Sequence, residues 1–225
     1  MYKEKVVAVI PAYNEEDIIG VTLDALLNIE LIDKIIVVDD GSIDRTSEVV
    51  KEKNIFLLRY NENHGKGYAI KKALEFIDFE YLVLVDADIG FSCKEIIKLI
   101  EPVLCRKTDV AIGKFKPASK KGGFGLVKSL AEYGIWFYTK QRLKASLSGQ
   151  RVYTKQVIEN ISYIPNNFGI EVAMTIGAIK GGFRIKEIEV DMTHRETGRK
   201  LKDFVHRGRQ FLDIFKTLFI MRIRS

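Results

Sequence analysis

Two aspartates one residue apart, Asp86 and Asp88, follow the apolar run Tyr81-Leu82-Val83-Leu84-Val85. Carboxylates at i and i+2 on the turn leaving a buried strand can meet one divalent ion, and an all-oxygen set suits Mg²⁺ or Mn²⁺. Magnesium held by one or two carboxylates completes its shell with water and substrate phosphates, so the pair points to a phosphorylated ligand. Alone, an Asp-x-Asp reads equally well as a capping residue beside a solvated one. Two more polar turns follow apolar runs: Pro11-Ala12-Tyr13-Asn14-Glu15 and Asp39-Asp40-Gly41-Ser42. Ligands of open parallel sheets bind outside the carboxyl ends of the strands, where these three turns would converge. A Walker-A loop and a GxGxxG turn after the first strand are both missing, so neither an NTPase nor a dinucleotide site is supported.

The elements that must carry these turns alternate regularly. Short β-branched runs at 6–10, 34–38, 54–59 and 81–85 read as strands, and 15–27, 44–53, 68–76 and 94–105 as amphipathic helices. Continuous apolar strands separated by single helices imply an α/β fold with a mostly parallel sheet covered on both faces. After a short strand at 110–113 the pattern changes. Residues 116–125 are rich in Lys, Gly, Pro and Ser and read as a loop that would close over an anionic acceptor or else lie idle at the surface. A helix at 124–143 follows, with Tyr133, Trp136, Phe137 and Tyr138 read as core. An extended stretch at 149–153, helices at 154–160 and 169–180, a strand at 183–190 and a basic helix at 201–222 complete the chain.

A chain of 225 residues fits one domain, and 47% hydrophobic with 29% charged residues excludes a mostly disordered protein. Cys93 and Cys105 form no CxxC and no zinc spacing, so a reducing, cytoplasmic setting is expected. The apolar run at 6–12 is too short for a signal-peptide core, and no window of 18 uncharged apolar residues occurs, so no spanning helix is expected. Residues 195–225 hold nine Lys/Arg against three Asp/Glu, which accounts for the whole net charge of +6. That concentration suggests an anionic substrate or surface near the C-terminus. Nucleic acid is not the expected partner, because the aromatics there lie among aliphatics and form no stacking platform.

VIPAYNEED, VVDDGSIDRT, NHGKGYAIKKAL and LVLVDAD, in that order and spacing, resemble a family 2 glycosyltransferase of the GT-A fold. LSGQRVYTKQVI and HRETGRKLKDF are similar to segments of polyprenyl-phosphate sugar synthases such as dolichol-phosphate mannose synthase, so the resemblance spans about residues 6–203. It implies a single domain over 1–225, with a nucleotide-sugar half at 1–115, an acceptor half at 116–203 and a basic amphipathic helix at 204–225. By the same resemblance Pro11, Ala12, Tyr13 and Glu15 form the nucleotide-binding first loop, and Asp39 reads base and ribose. Lys66 lies where a Gly-rich turn approaches the nucleotide, and Asp86, Ala87 and Asp88 bind the donor diphosphate and its metal, with Asp88 counted as catalytic. Glu171 stands near the acceptor, as general base if that acceptor is a hydroxyl. His194 is a candidate third metal ligand, as in glucosyl-3-phosphoglycerate synthases, and Arg195, Arg199 and Lys200 would grip diphosphate. Arg199 stands where the polyprenyl-phosphate enzymes usually carry Ser. Arg151 is a candidate anion contact, or else the partner of a carboxylate.

The expected reaction is metal-dependent, inverting transfer of a hexose from a UDP- or GDP-linked donor. Its acceptor is a polyprenyl phosphate or another anionic or hydroxyl group. For a lipid acceptor, Phe204, Phe211, Leu212, Phe215, Leu218, Phe219 and Ile220 would supply a peripheral contact at the inner face of the membrane; the same residues could pack on the sheet. A soluble enzyme similar to glucosyl-3-phosphoglycerate synthase and a catalytically silent GT-A scaffold stay open as alternatives. A nucleotidyltransferase would be expected to show a Gly-rich first loop.

Overall fold

Alternation decides how the first strand is used. In β1 (Val6–Ala12), Val7 and Val9 enter the core on one face of the sheet while Ala8 and Ile10 enter the core on the other, all fully buried. Side chains of successive strand residues point to opposite faces, so one central strand nucleates two cores. The computed structural model describes residues 5–116, 125–193 and 201–223, with side chains of the last helix from 208 onward.

The remaining elements follow in order. They are α1 (Ile19–Leu27), β2 (Lys34–Asp40), α2 (Thr46–Glu52), β3 (Phe56–Tyr60), α3 (Lys66–Phe76) and β4 (Tyr81–Leu84). A 3-10 helix at Gly90–Ile96 then leads into α4 (Ile97–Leu104), followed by β5 (Val110–Phe115) and α5 (Leu126–Thr139). Last come β6 (Arg151–Thr154), α6 (Lys155–Asn160), α7 (Ile170–Lys180), β7 (Ile185–Val190) and α8 (Leu201–Ile223). The strands form a seven-stranded sheet of order β3-β2-β1-β4-β6-β5-β7. All pairings are parallel except those of β6, which runs antiparallel to both β4 and β5. The fold is the α/β architecture expected. Leu23, Leu26, Leu99 and Ile100 cover one face, and Ile70 and Met174 cover the other. Each fully buried aliphatic side chain contributes roughly 1.5–3 kcal/mol.

Several boundaries differ from the sequence reading for visible reasons. The helix expected at 15–27 starts only at Ile19, because Asn14 takes φ +56° and the Glu15 amide donates to the Thr46 hydroxyl before the helix can begin. The helix expected at 94–105 opens as a 3-10 turn from Gly90, whose φ of +59° bends the chain sharply away from β4. Of the aromatics of α5 only Tyr138 packs on a core, its hydroxyl donating to the Leu218 carbonyl; Tyr133 and Phe137 are exposed and Trp136 half-buried, and Ala131, Gly134 and Ile135 make the main contact. Small residues allow the close approach, since a Cβ at Gly134 would lie 2.6 Å from Leu218 of α8. The result is a third, smaller core of Ala131, Ile135, Val172, Ile176 and Ile214 between α5, α7 and α8.

Candidate active site

The three polar turns meet at one edge because β1, β2 and β4 are adjacent and parallel, with Ala12 beside Asp39 and Val9 beside Leu84. Backbone amides lock the first two turns together. The Asn14 amide donates to Ser42 Oγ at 2.9 Å, and the Ile43 amide returns a bond to Asn14 Oδ1 at 2.9 Å. Pro11 is half-buried, Ala12 buried and Tyr13 exposed at the rim, while the Glu15 carbonyl accepts from Ile18 and Ile19 at the helix start. Asp39 is fully buried and accepts from the Ser42 amide at 2.8 Å and from the Ser47 hydroxyl, so in this state it shapes its own turn. Arg59 Nε stands 3.6 Å from Asp39 Oδ2, which adds a cation the sequence reading did not single out. Asp40 takes the amides of His64 and Gly65, the latter at 2.6 Å, and thereby fixes the entry to α3.

Lys66 is the first residue of α3, a position where a cation opposes the helix dipole. Two carboxylates offset that cost. Its Nζ lies 2.6 Å from Asp86 Oδ1 and 2.7 Å from Glu171 Oε1, with the lysine side chain only 22% exposed. Burial alone would favour the neutral amine, but the charges of Asp86 and then Glu171 outweigh it and hold Lys66 above the ordinary lysine range. Glu171 sits in the first turn of α7, where a carboxylate is stabilised by the dipole. Asp86 is held from its other side by Gln150, which donates from Nε2 to Oδ2 at 2.7 Å and accepts the Asp86 amide through Oε1 at 3.0 Å. Sequence reasoning missed Gln150, although it quoted the segment carrying it; the signal was the neighbouring Arg151.

The structure gives Arg151 a different part from the anion contact or carboxylate partner expected of it. It is 1% exposed, and its guanidinium donates to the carbonyls of Ser148, Ser146 and Glu171 and to the hydroxyls of Tyr153 and Thr175. Those bonds brace the loop before β6 against the first turn of α7. A buried cation answered by neutral oxygens is a scaffold piece, and it positions Glu171 through that residue's carbonyl.

The turn after β4 is equally fixed. The Thr22 hydroxyl donates to the Ala87 carbonyl at 2.7 Å and accepts the Gly90 amide at 2.8 Å. Asp88 lines a cleft of about 580 Å³ whose walls include Ile18, Val21, Phe91 and Thr193. That volume lies in the range of small-molecule sites. Lys66, Gly149 and Glu171 border only a void of about 10 Å³, at the lower limit for one water. Cys93 lies close by, and burial, with the Asp86 charge second, pushes its thiol up to about 12. His194, Arg195, Arg199 and Lys200, expected as metal ligand and diphosphate grip, fall outside the described residues.

The chemistry of the acidic turn fits a divalent cation, with the cleft beside Asp88 as the open side. A Cβ at Gly149 would sit 2.3 and 2.5 Å from the two carboxylate oxygens of Asp86, so only glycine lets the backbone pass this close to the carboxylate. One of those oxygens already meets a cation, the Lys66 ammonium. Among the described residues no group of three His, Cys, Asp or Glu stands ready to hold a metal. Two carboxylates, with the other positions left for diphosphate and water, are what Mg²⁺ ordinarily uses.

A mostly parallel sheet with one antiparallel insertion and an acidic turn at its carboxyl edge defines the GT-A class of glycosyltransferase folds. Glucosyl-3-phosphoglycerate synthase from Mycobacterium tuberculosis, solved with Mn²⁺, UDP and glucosyl-3-phosphoglycerate, superposes with a TM-score of 0.80. The match covers 96% of this chain and 78% of that one at 19% identity. The family model for glycosyl transferase family 2 matches residues 7–161, and the chain belongs to that family. An uncharacterized protein of Methanocaldococcus jannaschii is 31% identical, over 96% of this chain and 90% of its own length. The UDP-N-acetylglucosamine–dolichyl-phosphate N-acetylglucosaminyltransferase of Methanococcus voltae is 28% identical over 68% of this chain and 71% of its own. The undecaprenyl-phosphate mannosyltransferase of Micrococcus luteus is 25% identical over 86% of both.

Proposed function

We propose that this glycosyltransferase moves a hexose from a UDP- or GDP-linked donor to a polyprenyl phosphate, with inversion at the anomeric carbon. The observation that carries the reading is the ammonium of Lys66 between Asp86 and Glu171. An acceptor phosphate is already ionised and needs no base, which agrees with a Glu171 whose Oε1 is engaged by Lys66. For a hydroxyl acceptor the same carboxylate would have to take a proton, and Lys66 would have to release it first.

In the proposed reaction a phosphate oxygen of the acceptor forms the new bond to the anomeric carbon. The bond from that carbon to the donor diphosphate breaks, and its electron pair leaves on the diphosphate. Lys66, held in its charged form, supplies fixed positive charge to the departing group, and Asp86 and Glu171 orient it. Asp86 and Asp88 are the residues that would hold Mg²⁺ or Mn²⁺, which when bound neutralises charge on the diphosphate. Tyr13 at the rim and the turn shaped by Asp39 would receive the nucleoside, with Arg59 beside it. The relatives from Methanococcus voltae and Micrococcus luteus, named for dolichyl- and undecaprenyl-phosphate, support the choice of acceptor.

The test combines donor and acceptor. Thermal shift with UDP and GDP, each with and without Mn²⁺, should give a metal-dependent rise for one of them. Transfer from the matching sugar nucleotide should then occur to a short-chain polyprenyl phosphate and not to the corresponding alcohol. Product on 3-phosphoglycerate instead would move the reading to the soluble alternative, and neither transfer nor donor hydrolysis would leave the silent scaffold.

A further inference from the structure

Among the described strands β6 alone runs against its neighbours, and direction decides which of its ends reaches the site. A parallel strand between β4 and β5 would bring its carboxyl end to this edge. The reversed strand brings its amino end, with Arg151 beside Leu84, so the residues that open β6 stand next to the turn leaving β4. Arg151 reaches the Glu171 carbonyl, and Gln150 reaches Asp86. The two residues whose carboxylates share the Lys66 ammonium are thus held from adjacent positions at one strand end.

Gln150 is fully buried and pinned from behind. Its carbonyl accepts the Gly113 amide of β5 at 2.9 Å, and a Cβ at Gly113 would come within 3.2 Å of the Gln150 Cβ. Its side-chain amide makes both of its bonds to one residue, Nε2 donating to Asp86 Oδ2 at 2.7 Å and Oε1 accepting the Asp86 amide at 3.0 Å. Turned over, the same group would set its oxygen against a carboxylate oxygen and its NH₂ against a backbone N–H, so the partners allow one orientation. The clamp commits Oδ2 to the protein. Oδ1 is the oxygen that meets a cation, here the Lys66 ammonium at 2.6 Å. A carboxylate whose torsions are fixed on folding loses less freedom when an ion arrives, and therefore binds it more tightly.

We propose that Gln150 is a positioning residue for the divalent ion. It does not touch the ion; it sets the affinity of the acidic turn by holding the Asp86 carboxylate in the orientation a cation uses. The role rests on the metal-dependent transferase reading and names the residue that tunes its metal site. Hydrogen-bonding partners of ligating side chains ordinarily change metal affinity by about 10–100-fold when they are lost.

The test is Mn²⁺ binding to the full chain, read from the electron paramagnetic resonance signal of free Mn²⁺, with UDP or GDP present and no acceptor. Gln150→Met keeps the volume and loses both bonds; Gln150→Asn keeps the amide but falls one methylene short of Asp86. Each should raise the Mn²⁺ dissociation constant about 10–100-fold with the nucleotide the parent prefers. In transfer assays the Mn²⁺ concentration for half-maximal rate should rise in step, and saturating Mn²⁺ should restore the parent rate. Both variants remove the acceptor of the Asp86 amide, so a lower melting temperature is expected as well. A purely structural residue would show that fall with Mn²⁺ affinity unchanged. Unchanged affinity in both variants, or a rate that saturating Mn²⁺ does not restore, overturns the proposal. A parent that binds no Mn²⁺ with either nucleotide overturns it equally. Weaker Mn²⁺ binding by the variants of a parent that transfers nothing to polyprenyl phosphate would keep Gln150 in its role and reject the acceptor; transfer by the parent with Mn²⁺ held as tightly by both variants would do the reverse.

Discussion

The turns after β1 and β2 and the node around Lys66 lie at the same sheet edge, yet they are held in opposite ways. Amides of the Asn14, Ile43, His64 and Gly65 peptides secure the first region, each donating to a side chain on a neighbouring turn. The second is held side chain to side chain, by Lys66 with Asp86 and Glu171 and by Gln150 with Asp86, across separations of 105 and 64 positions for Glu171 and Gln150. Backbone donors cannot turn away, whereas a lysine between two carboxylates can exchange one of them for a phosphate. In the proposed reaction the first region would frame the nucleoside, and the second would be a charge relay redistributed when diphosphate and metal arrive.

The sharpest way to break that comparison is to remove the acidic turn. Asp88→Ala should lower transfer about a thousandfold, since charge stabilisation of this kind contributes several kcal/mol to a transition state, while the melting temperature holds. Normal turnover in that variant would sink the assignment. Lys66→Met comes next, with transfer expected to fall about a hundredfold. It leaves Asp86 and Glu171 without their shared cation, so Mn²⁺ alone should raise its melting temperature more than that of the parent. Equal shifts would mean that lysine and metal do not share Asp86.

Gly169→Ala probes the far side of the same node. Its Cβ would meet the Thr217 hydroxyl, and displacing α8 should cost about 1–3 kcal/mol in urea unfolding. UDP or GDP affinity should be unaffected if frame and relay are separable; a parallel loss would show that they are not. The smallest effect lies in neither region. Asp109 is lowered from the usual carboxylate range by hydrogen bonds from the Arg184 side chain above all, with burial opposing. A depressed carboxyl stabilises fully above its unfolded pKa, and the contribution fades as pH falls through the lower folded value. Arg184 is largely exposed, so Asp109→Asn should cost only about 1 kcal/mol at pH 7 and nothing once both forms are protonated. Denaturation curves at pH 7 and at successively lower pH check both, and the difference between the two proteins should shrink as pH falls.

The frame was legible in the sequence because its residues are contiguous: an apolar run, then Pro11 to Glu15 or Asp39 to Ser42, announces a strand end whatever the rest of the chain does. The relay was not. Nothing local to Lys66 says that Glu171 will face it, and the antiparallel direction of β6 has no signature in four residues. Arg151 shows the limit of reading by residue type, since a guanidinium suited to an anion is consumed by carbonyls once burial is known. Helix α8 shows another: Phe215 and Ile214 are adjacent apolar residues, and only packing decides that one enters the core and the other meets the outside.

The place of β6 in the sheet has a consequence during synthesis. Strands β4 and β5 are made early but have no neighbour at their shared position until residues 151–154 leave the ribosome and slot between them. At about 5–20 residues per second, the open edge of β4 waits roughly several seconds for that strand. For that interval the nascent chain carries a bare apolar sheet edge, the kind of surface chaperones and aggregation compete for. The register that ends in Leu84 beside Arg151 is thus the step that covers the β4 edge, and β7 covers that of β5 only some thirty residues later.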